Sequence, residues 1–365
     1  TRIKWVRYFE GRKKEFRWSR ELLHRSGDSD LNAGDYRQLT DDGGVRHGDK
    51  KKNTAIAGSA SFWYHVTIGC RAKTDGECAT NPRSAELFQH GIFRILAAAP
   101  PTVVANPAEN TRAMVDLIEK ADADLIVLPE LALTGYTCGD LFGSDALLKA
   151  ALEGLNRIVQ ASESRRAAVA VGLPMAVGDS LMNVAAVIAD GELAGIVPKT
   201  FLPTYREFYE GRHFRPSGPA DPETIEINGE EIPFGTDLLF TMGQAVIAVE
   251  ICEDLWTPIP PSSHAAVAGA NVLVNLSASN ETIGKADWRR SLIQSQSGRC
   301  IAAYAYASSG PGESTSDLVF GGHCLIAENG MLVGQSRRIG DGQVPEWVAE
   351  TAVSRDIDLQ RLAHD

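Results

Sequence analysis

Residues 245–256 read Ala245-Val246-Ile247-Ala248-Val249-Glu250-Ile251-Cys252-Glu253-Asp254-Leu255-Trp256. A β-branched apolar run that ends abruptly in a thiol and two acids reads as a buried strand with a tight polar exit. Two other stretches share the layout. Leu125-Ile126-Val127-Leu128-Pro129-Glu130 places an acid just past an apolar run, and Leu193-Ala194-Gly195-Ile196-Val197-Pro198-Lys199 places a cation there. In an open α/β sheet, reacting groups gather at the carboxyl ends of buried strands. A nucleophile, a proton carrier and a fixed cation in three such places suit covalent acyl transfer.

Around these runs the pattern is regular from residue 86 onward. Ile92–Ala97 reads as a strand. Asn106-Pro107-Ala108-Glu109 supplies an N-cap, a proline at the first helical position and an early acid, which predicts a helix to about Ala121. Ser144 caps a second predicted helix, with Leu148, Leu152, Leu155 and Val159 on one face. Further apolar runs follow at 167–172, 184–189, 193–197, 272–276 and 301–307, with an amphipathic stretch over 285–299. Asp190-Gly191 and Asn329-Gly330 are two-residue hairpin signals. Strands alternate with helices and then give way to hairpins, which predicts an α/β fold: a layered sandwich of mixed sheet with helices on its outer faces.

The 365 residues are 44% apolar and 23% charged, a soluble globular composition able to bury a sizeable core. No apolar run approaches the ~18 residues that cross a bilayer, and no secretory leader opens the chain, so no membrane partner is expected. Six scattered cysteines in a chain of this length point to reduced thiols and a cytoplasmic location. Residues 1–85 hold 17 Lys and Arg against 11 Asp and Glu, whereas residues 86–365 hold 19 against 36. The acidic body argues against nucleic acid as a partner. The opening 85 residues show no sustained period, and we expect an irregular or non-native extension ahead of a domain over 86–365. The chain begins at Thr1 and its first methionine is Met114, which suggests a missing or misplaced start. Cys70 and Cys78 have no second metal-like pair, so no zinc site is expected.

Each candidate also has a plain reading. Cys252 could be a small buried hydrophobe, Glu130 a helix-capping acid and Lys199 a solvated hairpin residue. Against these stand the three acids within two residues of Cys252, the apolar turn after Pro129, and the aromatic, proline-rich run after Lys199. No Gly-x-Ser-x-Gly elbow and no phosphate loop offers a rival chemistry. Gly310-Pro311-Gly312-Glu313-Ser314 is uninformative alone, and His323 reads as structural.

Leu128-Pro129-Glu130-Leu131, Pro198-Lys199 and Glu250-Ile251-Cys252-Glu253-Asp254 resemble the Glu-Lys-Cys blocks of the nitrilase (carbon–nitrogen hydrolase) superfamily. The runs Glu130–Tyr136, Pro198–Glu210, Phe234–Phe240 and Asn275–Ser279 narrow the likeness to the glutaminase domains of bacterial glutamine-dependent NAD synthetases. The resemblance covers about residues 86–350 and implies a four-layer αββα sandwich. It further implies Glu130 as general base, Lys199 as transition-state cation and Cys252 as the nucleophile that attacks glutamine. Glu207 resembles the second acid that orients the lysine. Tyr136, Tyr205, Glu253, Ser279 and Lys285 resemble substrate-binding positions. Lys285 stands where the family carries an arginine, which keeps the charge and loses the bidentate fork. The family's synthetase domain, with its ATP and Mg site, is not represented in these 365 residues, so no cofactor is expected for this chain. A homo-oligomer through the sandwich face is implied. A free-standing amidase on another small amide, or an inactive fragment, are the competing readings.

Overall fold

The computed structural model describes residues 63–68, 88, 90–163, 165–338 and 351–365, together with the strand backbones of 2–10 and 15–23. Seventeen strands are assigned in order: β1 (Arg2–Glu10), β2 (Glu15–Leu23), β3 (Tyr64–Thr67), β4 (Ile92–Ala99), β5 (Leu125–Val127), β6 (Ala168–Val177), β7 (Ser180–Ala189), β8 (Glu192–Pro198), β9 (Thr224–Ile227), β10 (Glu230–Pro233), β11 (Leu238–Met242), β12 (Ala245–Ile251), β13 (Val272–Ser277), β14 (Ala303–Ser308), β15 (Leu325–Glu328), β16 (Met331–Gln335) and β17 (Thr351–Asp358). The helices are α1 (Pro107–Lys120), α2 (Asp145–Ala161), α3 (Pro261–Val267), α4 (Lys285–Cys300) and α5 (Leu359–His364). One sheet runs β17-β4-β5-β6-β7-β8, a second runs β16-β15-β14-β13-β12-β11-β3-β1-β2, and β9 and β10 form a separate ribbon.

Alternation along the strands divides the core into three layers. Leu125 and Val127 of β5 face the other sheet, while Ile126 and Leu128 pack with Met114, Ile118, Leu155 and Ile158 of α1 and α2. Ala303, Ala305 and Ala307 of β14 face the sheet interface, and Tyr304 and Tyr306 point outward to Ile293 of α4 and Ala265 of α3. Each face of each sheet therefore buries its own apolar stripe, and the result is the expected αββα sandwich.

Both hairpin signals form as expected, with Asp190 and Gly191, and Asn329 and Gly330, all at positive φ. Asn106 caps α1 by accepting from the Glu109 N–H at 3.2 Å. The buried face of α2 is turned from the predicted one. Leu147, Ala151, Gly154 and Ile158 are buried beside Leu155. The cause is α1: a Cβ at Gly154 would lie 2.4 Å from Thr111 Oγ1, so the two helices meet along that glycine. The opening segment departs from the expected irregularity in three places. β1 and β2 pair antiparallel, and β3 pairs in parallel with both β1 and β11. Tyr64 and Val66 of β3 are buried in the shared core, which ties this stretch to the body. Cys70 and Cys78 lie outside the described residues.

Candidate active site

Glu130 sits in the turn that follows β5, where Leu131 takes a positive φ of 50°. That turn lies against β6 so closely that a Cβ at Gly172 would come within 2.3 Å of the Leu131 nitrogen. Glycine is thus required at 172 for the acid to take its place. Lys199 leaves the end of β8 with its backbone N–H bonded to the Asn183 carbonyl at 2.9 Å. Its ammonium is fully buried and lies 2.6 Å from Glu130 Oε1, 2.7 Å from Glu210 Oε1 and 2.8 Å from Glu210 Oε2. Burial alone would push the lysine's pKa down, but the two carboxylates outweigh it and hold the ammonium charged. Asn183, buried in β7, donates to Glu130 Oε1 at 2.6 Å. Glu130 Oε2 is buried and has no hydrogen-bond partner among the described residues, which leaves one oxygen of the base free.

Cys252 opens the 3-10 turn Cys252–Trp256 at the end of β12, with φ at 46°. A non-glycine residue held in this left-handed region is strained, and such strain persists only where the surroundings over-determine it. Burial first, and then the charge of Glu130, push the thiol's pKa well up, with Lys199 pulling the other way. Burial therefore disfavours a thiolate at rest.

The sulfur borders a cavity of about 430 Å³ whose walls include Tyr205, Glu207, Glu253, Ser279 and Lys285. Four of the five expected substrate-binding residues thus converge on the nucleophile. Tyr136 does not. Its hydroxyl donates to Glu210 Oε1 at 2.8 Å, and it lines an adjacent cavity of about 230 Å³ that shares Glu207 and Phe208 with the first. Lys285 reaches the wall but donates to Asn280 Oδ1, with the Phe208 and Trp256 rings each 5.4 Å from its Nζ. Tyr205 donates to both Glu253 oxygens, at 2.9 and 3.0 Å.

Glu207 is a correction. It does not touch Lys199; it accepts from Asn280 Nδ2 at 2.5 Å, and Glu210 is the second acid on the lysine. The loop folds back so that the Glu210 N–H meets the Pro203 carbonyl at 3.1 Å, which carries residue 210 inward. Burial pushes the Glu210 carboxyl up to about 7, opposed by Lys199. The density of acids around Cys252 also resolves into separate tasks. Glu250 points to the outer layer, accepting from Tyr304 and from the Ser262 N–H at 2.8 Å. Asp254 binds backbone, and only Glu253 borders the cavity.

The carbon-nitrogen hydrolase family matches residues 95–363. This chain belongs to that family. The hydrolase is 43% identical over 280 residues to the glutamine-dependent NAD(+) synthetase of Mycobacterium tuberculosis, covering 75% of this chain and 40% of the relative. It is 34% identical over 216 residues to the enzyme of the same description from Aquifex aeolicus, covering 58% and 34%. Among solved structures, a glutamine-dependent NAD(+) synthetase from Cytophaga hutchinsonii superposes with a TM-score of 0.64 at 29% identity, over 73% of this chain and 43% of that one. A nitrilase-superfamily amidase from Nesterenkonia shares the fold, with a TM-score of 0.56 at 19% identity over 75% and 94%. The hydrolase spans about 40% of the length of these mycobacterial relatives.

Several residues of the hydrolase site carried no sequence signal of their own. Asn183 is one polar residue at the edge of a buried run, and that interruption was the only clue. Glu210 lies within a recognisable stretch, but a loop has no period to say which of its acids turns inward. Glu313, in the loop that read as uninformative, is buried and accepts from the Tyr136 N–H at 2.7 Å and the Thr137 N–H at 3.0 Å. Among the described residues no helix is long and apolar enough to cross a membrane.

Proposed function

We propose that this hydrolase converts L-glutamine to glutamate and ammonia through a thioester on Cys252, as the ammonia-supplying part of a glutamine-dependent NAD(+) synthetase. The observation that carries the reading is the buried Glu130–Lys199–Glu210 cluster together with a cysteine that borders a cavity with both acidic and basic walls. A zwitterionic amino acid suits such a wall, its carboxylate toward Lys285 and its ammonium toward Glu207 and Glu253. The identity to NAD synthetases over most of this chain supports glutamine in particular.

Glu130 takes the Cys252 proton on its free oxygen as the sulfur attacks the side-chain carboxamide carbon. The oxyanion that forms is held by the Lys199 ammonium and the Glu253 backbone N–H, where each donor contributes about 3 kcal/mol. Collapse breaks the C–N bond, and the Glu130 proton leaves with ammonia. Glu130 then deprotonates a water that attacks the thioester carbonyl. The second collapse releases glutamate and returns the proton to the sulfur. Glu210 and Tyr136 hold the lysine in place throughout. The NAD-forming step, and the ATP and Mg site it needs, belong to the synthetase domain normally joined to such a chain.

Ammonia release from glutamine by the full chain, beside a Cys252→Ala variant, tests the reading. Release by the parent and none by the variant is expected. Release from other small amides but not from glutamine would replace it with a free-standing amidase.

A further inference from the structure

Resting on that triad, one buried acid has no place in the chemistry above. Asp254 is almost wholly buried and does not line the Cys252 cavity. Its Oδ1 accepts from the Phe201 N–H at 2.8 Å and the Thr200 N–H at 3.2 Å, the two residues that follow Lys199. Its Oδ2 accepts from the Ile251 N–H at 3.0 Å, the residue that precedes Cys252. It forms no salt bridge among the described residues, so a buried carboxyl is held by backbone donors alone, an arrangement that costs stability unless something is gained from it. The bond to the Ile251 N–H also caps the start of the 3-10 turn, and Thr257 Oγ1 closes its far end by donating to the Asp254 carbonyl at 2.9 Å; the bonds to Thr200 and Phe201 serve neither end.

The two loops that this carboxylate joins come from different sheets, one carrying the cation and the other the nucleophile. The lysine loop is fixed on its near side by β7, through the Asn183 carbonyl, and on its far side by Asp254. The thiol loop begins at a strained residue, and the Ile251 N–H held by Asp254 sits directly before that strain. We infer that Asp254 is a positioning residue that sets the Lys199 ammonium relative to the Cys252 sulfur by holding both of their loops on one carboxylate. Positioning of this kind is worth much in catalysis, because a displacement of about 1 Å can cost on the order of a hundred-fold in rate.

The sign of one measurement separates this role from a plain charge effect. Removing a nearby negative charge makes a thiol more acidic. Moving a lysine away from the thiol makes it less acidic. The test is the pH profile of Cys252 alkylation by iodoacetamide in the full chain, followed at the Cys252 peptide by mass spectrometry, for the parent and Asp254→Asn. Near-UV circular dichroism checks the fold. The expected result is a folded variant whose Cys252 alkylation rate is reduced about ten-fold at each pH between 7 and 9. On glutamine its kcat should fall about thirty-fold or more while KM changes less than three-fold. An alkylation rate that is unchanged or higher across that range would overturn the inference. Asp254→Ser, which keeps an acceptor without charge, replaces the asparagine variant if that one does not fold, and failure of both to fold would assign Asp254 to stability and overturn it too. Alkylation needs no substrate, so a parent that alkylates normally but releases no ammonia would refute the glutaminase reading and leave this test standing.

Discussion

The two sheets reach the site with different equipment. The six-stranded sheet supplies Glu130, Asn183 and Lys199, a charged set whose polar partners are mostly one another. The nine-stranded sheet supplies Cys252 and, from the segments after β13, Ser279 and Lys285, which form the wall of the cavity. One half is held by short hydrogen bonds between buried charges, the other by a strained backbone turn. The difference sets an aligned cluster of buried charges on one side of the site against a buried thiol at a strained turn on the other.

Breaking the charged half should have the largest effect. Glu130→Gln removes the proton carrier while keeping its shape, and kcat should fall by about 10³-fold in a steady-state ammonia assay. A fall under ten-fold would mean that another group takes the thiol proton. The backbone beneath the acid can be attacked without touching the chemistry. Gly172→Ala forces a Cβ into the Glu130 turn, and urea melts should show a loss of about 3 kcal/mol with activity falling in step.

Tyr136→Phe sharpens the comparison by loosening only the second acid. The deleted hydroxyl donates to Glu210, a contact worth about 1 kcal/mol, so activity should drop about five-fold. The pH profile carries more information. Glu210 holds the lysine when ionised, and burial raises its carboxyl to about 7, so kcat/KM should climb as pH rises through that value. Losing the hydroxyl donor raises the carboxyl further, so this limb should move to higher pH in the variant. On the nine-stranded side, Lys285→Arg restores a planar fork to the cavity wall, and KM for glutamine should fall roughly three-fold with kcat unchanged. No change in KM would remove Lys285 from the binding wall.

Glu130, Lys199 and Cys252 were legible as candidates because each stands directly after an apolar run, and burial of a strand dictates where its exit lies. The sandwich was legible for the same reason, since Leu125 to Leu128 or Ile247 to Ile251 can bury both faces only between layers. What failed was local. The acid on Lys199 was assigned to Glu207 by resemblance, and since Pro198–Glu210 has no period, only its folded path decides between two acids three residues apart. The α2 face was missed because Gly154, apolar by omission, carries the helix contact. β9, β10 and β11 went unread in a stretch where acids and a proline interrupt the apolar residues. Asp254 was visible as an acid near the thiol, but its partners are backbone N–H groups, which leave no trace in side-chain identity.

The most direct test of a Cys252 thioester is the mass of the chain quenched during steady turnover of glutamine, with the modified peptide identified. A γ-glutamyl adduct on Cys252, lost on standing and absent from Cys252→Ala, is the predicted result. Glutamine turnover that proceeds with Cys252 unmodified, or that survives its replacement by alanine, would contradict it.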